Sequence, residues 1–207
     1  MKKLSCLAAL VLFLACSSFA QKSQSTKFFV GTGVAFPITE LDYYGYSQNY
    51  NFGGGVSGGL SFRVLPRFQF RTTISYFRAR FDEQEFIQST NIQNSGYTID
   101  GGTETFFGLS GEFKYALRNS NYSILPYIIG GGGAYHLSHR NLHFPQSGSP
   151  TVSESSSHWA PTLKGGIGIE FNSFKNIGFF AEMNIAVSFP EGSETANHLP
   201  LTLGVTL

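Results

Sequence analysis

From Lys27 to the C-terminus, large apolar side chains recur at every second position, with small, hydroxyl-bearing or charged residues between them. Over residues 28–36, for example, the even positions carry Phe, Val, Thr, Val and Phe, and the odd positions between them carry Phe, Gly, Gly and Ala. A helical face would need apolar spacings of three and four residues instead of two. The pattern therefore predicts β-strands with one apolar face and one polar face.

About eight segments alternate in this way, and each is close to the roughly 9 to 11 residues that a tilted strand needs to cross a bilayer. The segments are 28–36, 52–64, 68–77, 104–117, 125–137, 159–171, 177–189 and 199–207. Short connections at 65–67, 118–123 and 172–175 alternate with long ones at 37–51, 82–102, 138–158 and 190–198. The sequence predicts an all-β fold, a single transmembrane antiparallel up-and-down β-barrel, with short turns on the periplasmic side and long loops outside the cell.

The two faces predict which side of the barrel meets lipid. The polar face is mostly Gly, Ala, Ser and Thr with a few charges, which fills a narrow barrel better than it covers a surface in water. We therefore expect the apolar face to be lipid-facing, with outward aromatic residues in girdles near the strand ends. In the fifth segment this face is assigned to Tyr127, Ile129, Tyr135 and Leu137, which turns His136 inward. The alternative is a secreted lipocalin-like soluble barrel that binds an apolar ligand inside.

The first twenty residues have the pattern of a cleaved signal peptide. Lys2 and Lys3 precede an apolar stretch over 7–15, and the small-residue pattern ends at Ala20, so the barrel domain is expected to span 21–207. The apolar stretch is shorter than the roughly 20 residues of a membrane helix. Lipid attachment at Cys16 remains an alternative to cleavage after Ala20.

Composition excludes several classes of function. The formal net charge of +1 gives no basis for nucleic-acid binding, and both cysteines lie in the first twenty residues. The mature chain therefore has no thiol for a disulfide, a metal or catalysis, and no pattern in it indicates a cofactor.

Charged residues recur on the polar face of five segments. In a barrel of about eight strands the interior holds side chains, so these charges predict a salt-bridged plug, with a path for protons or small ions as the alternative. The predicted interior network comprises Arg63, Arg71, Glu112, Lys114, Lys164, Glu170 and Glu182.

Three further groups of polar residues bear on binding or catalysis. Arg78 and Arg80 have outward parity above the third segment, at the height expected for lipopolysaccharide phosphates. The five histidines lie in or beside the long loops, but no motif fixes a geometry for metal, and no metal site is predicted. His136 and Ser138, with Glu154 downstream, have the residue types of a hydrolase triad, but the alternation turns His136 away from lipid.

Several stretches resemble the OmpA/OmpX-like superfamily of small outer-membrane barrels, a group that includes porin-family proteins of Gram-negative bacteria. They are Leu125-Pro126-Tyr127 followed by the four glycines 130–133, and the segments 164–171, 179–182 and 201–205. The chain departs from such barrels at its last residue, Leu207, where they commonly end in an aromatic residue. The resemblance implies a fold and a location, not one activity.

The function expected from the sequence is that of a non-enzymatic integral outer-membrane protein that contributes to the cell envelope or displays loops for surface interaction. A lipid A-modifying hydrolase is the alternative. The expected partners are outer-membrane lipids and lipopolysaccharide, the barrel-assembly machinery during biogenesis, and an extracellular ligand of the loops, with the protein itself a monomer.

Overall fold

The computed structural model describes residues 26–38, 52–84, 102–119, 122–139, 156–174, 177–190 and 196–207. These residues form eight strands: β1 (Thr26–Pro37), β2 (Gly53–Leu65), β3 (Phe68–Arg80), β4 (Thr103–Ala116), β5 (Ile124–His139), β6 (Ser156–Phe174), β7 (Ile177–Ser188) and β8 (Ala196–Thr206). The predicted signal peptide over 1–20 and most of each long connection lie outside the described residues. The described chain contains no helix long and apolar enough to cross a membrane.

The strands form one closed antiparallel barrel in which each strand pairs with its neighbours in sequence, and β1 also pairs with β8. Phe29, for example, lies opposite Gly59 of β2 on one side and opposite Thr206 of β8 on the other. Closure gives every strand two partners, so the ladder has no free edge. The predicted all-β barrel of about eight strands is confirmed. We call the end with the connections β2–β3, β4–β5 and β6–β7 the turn end, and the opposite end the loop end.

The outer surface carries large apolar side chains, and the interior carries a group of buried charges. Leu203 on the outer face is 65% exposed, whereas Glu112 on the inner face is fully buried. A soluble barrel has the reverse arrangement, with its apolar face inside and its charged face in water. The distribution therefore agrees with the predicted lipid-facing wall and not with the lipocalin-like alternative.

The fifth strand is the exception to the predicted faces. Tyr127, Ile129, Tyr135 and Leu137 are 1–5% exposed and point inward, while Ile128 between the first two is 48% exposed. The prediction for β5 is therefore wrong by one residue: the two tyrosines do not belong to the outer girdles, and His136 lies on the outer face.

Glycines on neighbouring strands give the β5 tyrosines their room inside the barrel. A Cβ atom added at Gly168 would overlap the Tyr127 ring, and one added at Gly108 would overlap the Tyr135 ring. Each ring thus fills space that a neighbouring strand leaves empty, which is how a narrow lumen reaches close packing. This fit explains why the odd-numbered side chains of β5 point into the barrel.

Single cysteines on β5 test this orientation, in a background with Cys6 and Cys16 changed to Ser. We expect Ile128→Cys to react with a bilayer-soluble maleimide in folded protein, because its side chain faces out, and Ile129→Cys to be protected by the packed interior. Labelling in lipid vesicles, measured by mass spectrometry with Ile74→Cys as an outward control, gives the readout. Reaction of Ile129→Cys but not of Ile128→Cys would restore the orientation expected from the sequence.

Candidate functional site

Arg71 on β3 is the centre of the charged interior. Its Nη1 and Nη2 donate to Glu182 Oε2 and Oε1 across the lumen, both at 2.7 Å, and its Nε donates to Glu112 Oε2 at 2.8 Å. A guanidinium can hold two carboxylates in this way because its donors form a rigid planar fork. The guanidinium carbon also lies 4.7 Å from the centre of the Phe29 ring. The hydrogen bonds of Arg71 thus link β3 to β4 and β7, and its contact with Phe29 adds β1.

The second oxygen of Glu112 is shared with β6. Lys164 Nζ donates to Glu112 Oε1 at 2.8 Å, and the Ser110 hydroxyl donates to the same oxygen at 2.8 Å. The Thr73 hydroxyl donates to Oε2 at 3.1 Å. Glu112 is therefore fully buried with four partners, which is the condition under which a buried carboxylate is tolerated.

A second ion cluster lies nearer the turn end, around Glu170 on β6. Lys114 of β4 forms a buried ion pair with Glu170, and Lys27 of β1 reaches the other carboxylate oxygen at 3.3 Å. The two clusters are joined by Tyr127. The Lys114 ammonium lies 4.0 Å from the centre of the Tyr127 ring, and the Tyr127 hydroxyl donates to Glu182 at 3.0 Å.

The structure brings six of the seven sequence-selected charges into these two clusters. Arg63 differs from these six in burial: it has inward parity but lies at the turn end of β2, where its side chain is exposed. Its inclusion in a buried interior network is therefore corrected. Parity shows which way a side chain points, but not whether the barrel still encloses it at that height.

Lys27, Asn184 and Tyr127 also take part in the clusters but were not selected from the sequence. Lys27, just before the first segment, has the same parity as the inward-facing Phe29, so the alternation would have found it. Asn184, whose Nδ2 donates to Glu182 Oε1 at 2.7 Å, has inward parity in the seventh segment. Tyr127 was missed because β5 was assigned the wrong face.

A mostly apolar layer closes the lumen on the loop side of the ion clusters. It consists of Ala35, Phe77, Phe106, Tyr135, Leu137 and Ala160. His198 stacks on Phe106 within this layer at 4.9 Å and is 1% exposed. Two cavities of about 10 Å³ each border the charges, and each has room for about one water molecule. Around the ion clusters and in the apolar layer, side chains therefore fill the described interior.

Arg78 and Arg80 lie on the outer face near the loop end, both exposed, as their parity predicts. The register places Thr105 of β4 beside Arg78, then Ser138 of β5, then Ser157 of β6. We call these three hydroxyl residues together with Arg78 the polar row. Two residues nearer the turn end along each of these strands, the outer face carries an aromatic row. It consists of Tyr76, Phe107, His136 and Trp159.

His136, a member of the aromatic row, also contacts the polar row. Its Nε2 lies 2.7 Å from Ser157 Oγ, and its ring centre lies 5.2 Å from that of Trp159. The expected inward orientation of His136, which counted against a hydrolase triad, is thus wrong, but Glu154 and the side chain of His139 lie outside the described residues. His143 lies outside them as well. Among the residues described, no group of three or more His, Cys, Asp or Glu side chains could hold a metal ion.

Comparison with known proteins agrees with this architecture. Residues 6–206 match the model of a family described as outer membrane protein beta-barrel domain. The structure is similar to that of Neisserial surface protein A, with a TM-score of 0.58 and 11% identity over 88% of this chain and 96% of that chain. No curated protein matches the chain.

Two further outer-membrane barrels show the same fold. For a major outer membrane protein from Thermus thermophilus the TM-score is 0.55, with 12% identity over 88% of this chain and 99% of that one. For OprG from Pseudomonas aeruginosa it is 0.55, with 11% identity over 90% and 97%. At these identities the likeness concerns the fold alone, and with the family match it confirms the resemblance to small outer-membrane barrels and a bacterial outer-membrane location.

Removal of the Glu112 charge tests how far the barrel depends on the ion clusters. We expect Glu112→Gln to lower the free energy of unfolding by about 3 to 5 kcal/mol, because it leaves Arg71 and Lys164 buried with too little negative charge. Urea titration in lipid vesicles measures this value. Lys27→Gln is the matched control, with an expected loss of at most about 1 kcal/mol, since Lys27 is partly exposed.

A double variant distinguishes a coupled network from independent contacts. Glu112→Gln combined with Lys164→Gln is expected to cost less than the sum of the two single changes, because each change removes the partner of the other. Strict additivity, or equal losses in Glu112→Gln and Lys27→Gln, would show that the clusters do not stabilise the fold as a unit.

Proposed function

The chain belongs to the outer membrane protein beta-barrel domain family, and from this premise we propose that it is a non-enzymatic barrel with a closed interior. In this role it stabilises the envelope as a membrane-spanning body and displays its long loops at the cell surface. The proposal rests above all on the filled lumen. When side chains occlude a barrel, only its outer wall and its loops can contact other molecules.

The interior has the composition of a plug. Two neighbouring clusters hold four cations against three carboxylates, which leaves a net charge of 4 − 3 = +1. The cations are Lys27, Arg71, Lys114 and Lys164, and the carboxylates are Glu112, Glu170 and Glu182. A permeant ion would have to break these pairs and then pass the apolar layer around Phe106 and Tyr135. Both steps oppose conduction, since separating buried pairs and placing an ion among apolar groups are costly.

The height of the apolar wall fits a bilayer. Along β3, the outward aromatic residues extend from Phe68 at the turn end to Tyr76 in the aromatic row. Eight residues at about 3.3 Å per residue, tilted by about 40°, rise by about 20 Å, which is close to the roughly 25 Å apolar band of outer-membrane barrels. Arg78, the next outward residue of β3, then lies at the height of lipid headgroups, where aromatic and polar side chains concentrate.

Planar-bilayer recording tests the closed interior. We expect the refolded protein to give no steady single-channel current, because side chains fill the lumen at two levels. The variant Phe106→Ala, which thins only the apolar layer, is also expected to remain silent since the ion clusters stay in place. Steady channels in the unchanged protein that disappear in Glu112→Gln would instead identify the charges as an ion path.

Surface labelling tests the orientation of the loops. We expect a short epitope tag inserted in the connection 140–155 to bind antibody on intact cells, because long loops of such barrels face outward. The same tag inserted between Leu65 and Phe68 is expected to bind antibody only after the outer membrane is opened. The reverse pattern would invert the proposed orientation.

A further inference from the structure

An apolar groove lies on the outer wall between β1, β2 and β3. It has a volume of about 490 Å³, and its outward walls include Val30, Val56, Leu60, Ile74 and Tyr76. Its floor is Gly58, which the register places between Val30 of β1 and Ile74 of β3. Without a side chain at Gly58, the two neighbouring apolar side chains form the sides of a trough, and its volume lies in the range of ligand pockets.

A cation stands directly above this groove. Arg78 follows Tyr76 on the same face of β3, and its neighbour on β2 is Gly54, where an added Cβ would meet no atom within 4 Å. The wall beside Arg78 on its β2 side is therefore open at Gly54. Arginine binds phosphate oxygens in a bidentate way, so this position suits a phosphate whose attached chain descends into the groove.

The polar row extends this headgroup surface sideways. From Arg78 it continues through Thr105, Ser138 and Ser157 over three strand spacings of about 4.8 Å, or about 14 Å. Hydroxyl side chains both donate and accept hydrogen bonds, as sugar hydroxyls do. A single phosphoglycerol headgroup is too small to use a row of this length, whereas a phosphorylated disaccharide can occupy it.

We propose that this wall binds one molecule of lipid A, the phosphorylated and acylated disaccharide of the outer leaflet. One phosphate sits at Arg78, with Arg80 above it, the sugars lie along the polar row, and one acyl chain fills the groove over Gly58. This assignment rests on the proposed orientation with the loop end outward. The proposed function thereby gains a defined lipid site on the outer wall, besides the loops and the closed interior.

Native mass spectrometry of the refolded full chain in detergent tests the site, with purified diphosphoryl lipid A as the probe. We expect one retained lipid A per barrel and about tenfold weaker retention in Arg78→Gln. Gly58→Leu is expected to weaken retention to a similar degree by filling the groove. Its matched control is Gly132→Leu, another outward glycine, because a Cβ at either position meets a backbone oxygen at 3.1 Å.

A second pair of variants acts at the phosphate without entering the groove. Gly54→Glu places a carboxylate beside Arg78 in open space and should reduce retention, whereas Gly54→Gln should not. The triple variant Thr105→Val, Ser138→Ala, Ser157→Ala removes the hydroxyls and should weaken lipid A binding while leaving phosphatidylglycerol binding unchanged. Heat-modifiable gel mobility verifies that each variant is folded.

Three results would overturn the assignment. The first is lipid A retention that is the same in Arg78→Gln, Gly58→Leu and Gly132→Leu. The second is retention of dephosphorylated lipid A as strong as that of diphosphoryl lipid A. The third is retention of phosphatidylglycerol as strong as that of lipid A, which would indicate a general anionic-lipid surface. Failure of the proposed function is distinguishable, because channel activity or inverted epitope labelling can occur whether or not the lipid is retained.

Discussion

Every backbone amide and carbonyl in the lipid-facing part of a strand needs a partner on a neighbouring strand, because hydrocarbon offers none. In this protein the requirement is met by pairing β1 with β8, so that a residue such as Phe29 has neighbours from both the second and the last strand. Closure also fixes the diameter of the barrel. With eight strands the lumen is just wide enough for side chains to fill it, and the character of the interior follows from that width.

The narrow lumen explains the arrangement of its charges. A buried ion is tolerated only with partners on several sides, and the curvature of a small barrel brings distant strands within reach of one side chain. Arg71 binds carboxylates on β4 and β7, and Tyr127 connects the two ion clusters from β5. The apolar layer beside them excludes water from one side. In the described part of the chain, the same filling leaves the outer wall as the surface available for interaction.

Much of this architecture is determined by the sequence. A period of two over eight segments predicted the strands, their antiparallel order and the apolar outer wall, because parity decides the face of every residue once one face is known. Inward charges such as Arg71, Glu112 and Lys164 were identifiable on the same basis. The outward direction of Arg78 also followed from parity, since Arg78 lies two and four residues after the outward Tyr76 and Ile74.

Tertiary structure decided what parity leaves open. In β5, Ile128 and Ile129 are adjacent and the glycines 130–133 carry no side chain, so the local pattern has no preferred face; the strand turns its tyrosines inward because Gly108 and Gly168 on the neighbouring strands leave room for them. Exposure of Arg63 depends on where the barrel ends. The polar row unites residues from four strands only through their pairing registers. Alternation along one strand specifies a direction, but height, neighbours and available space belong to the assembled barrel.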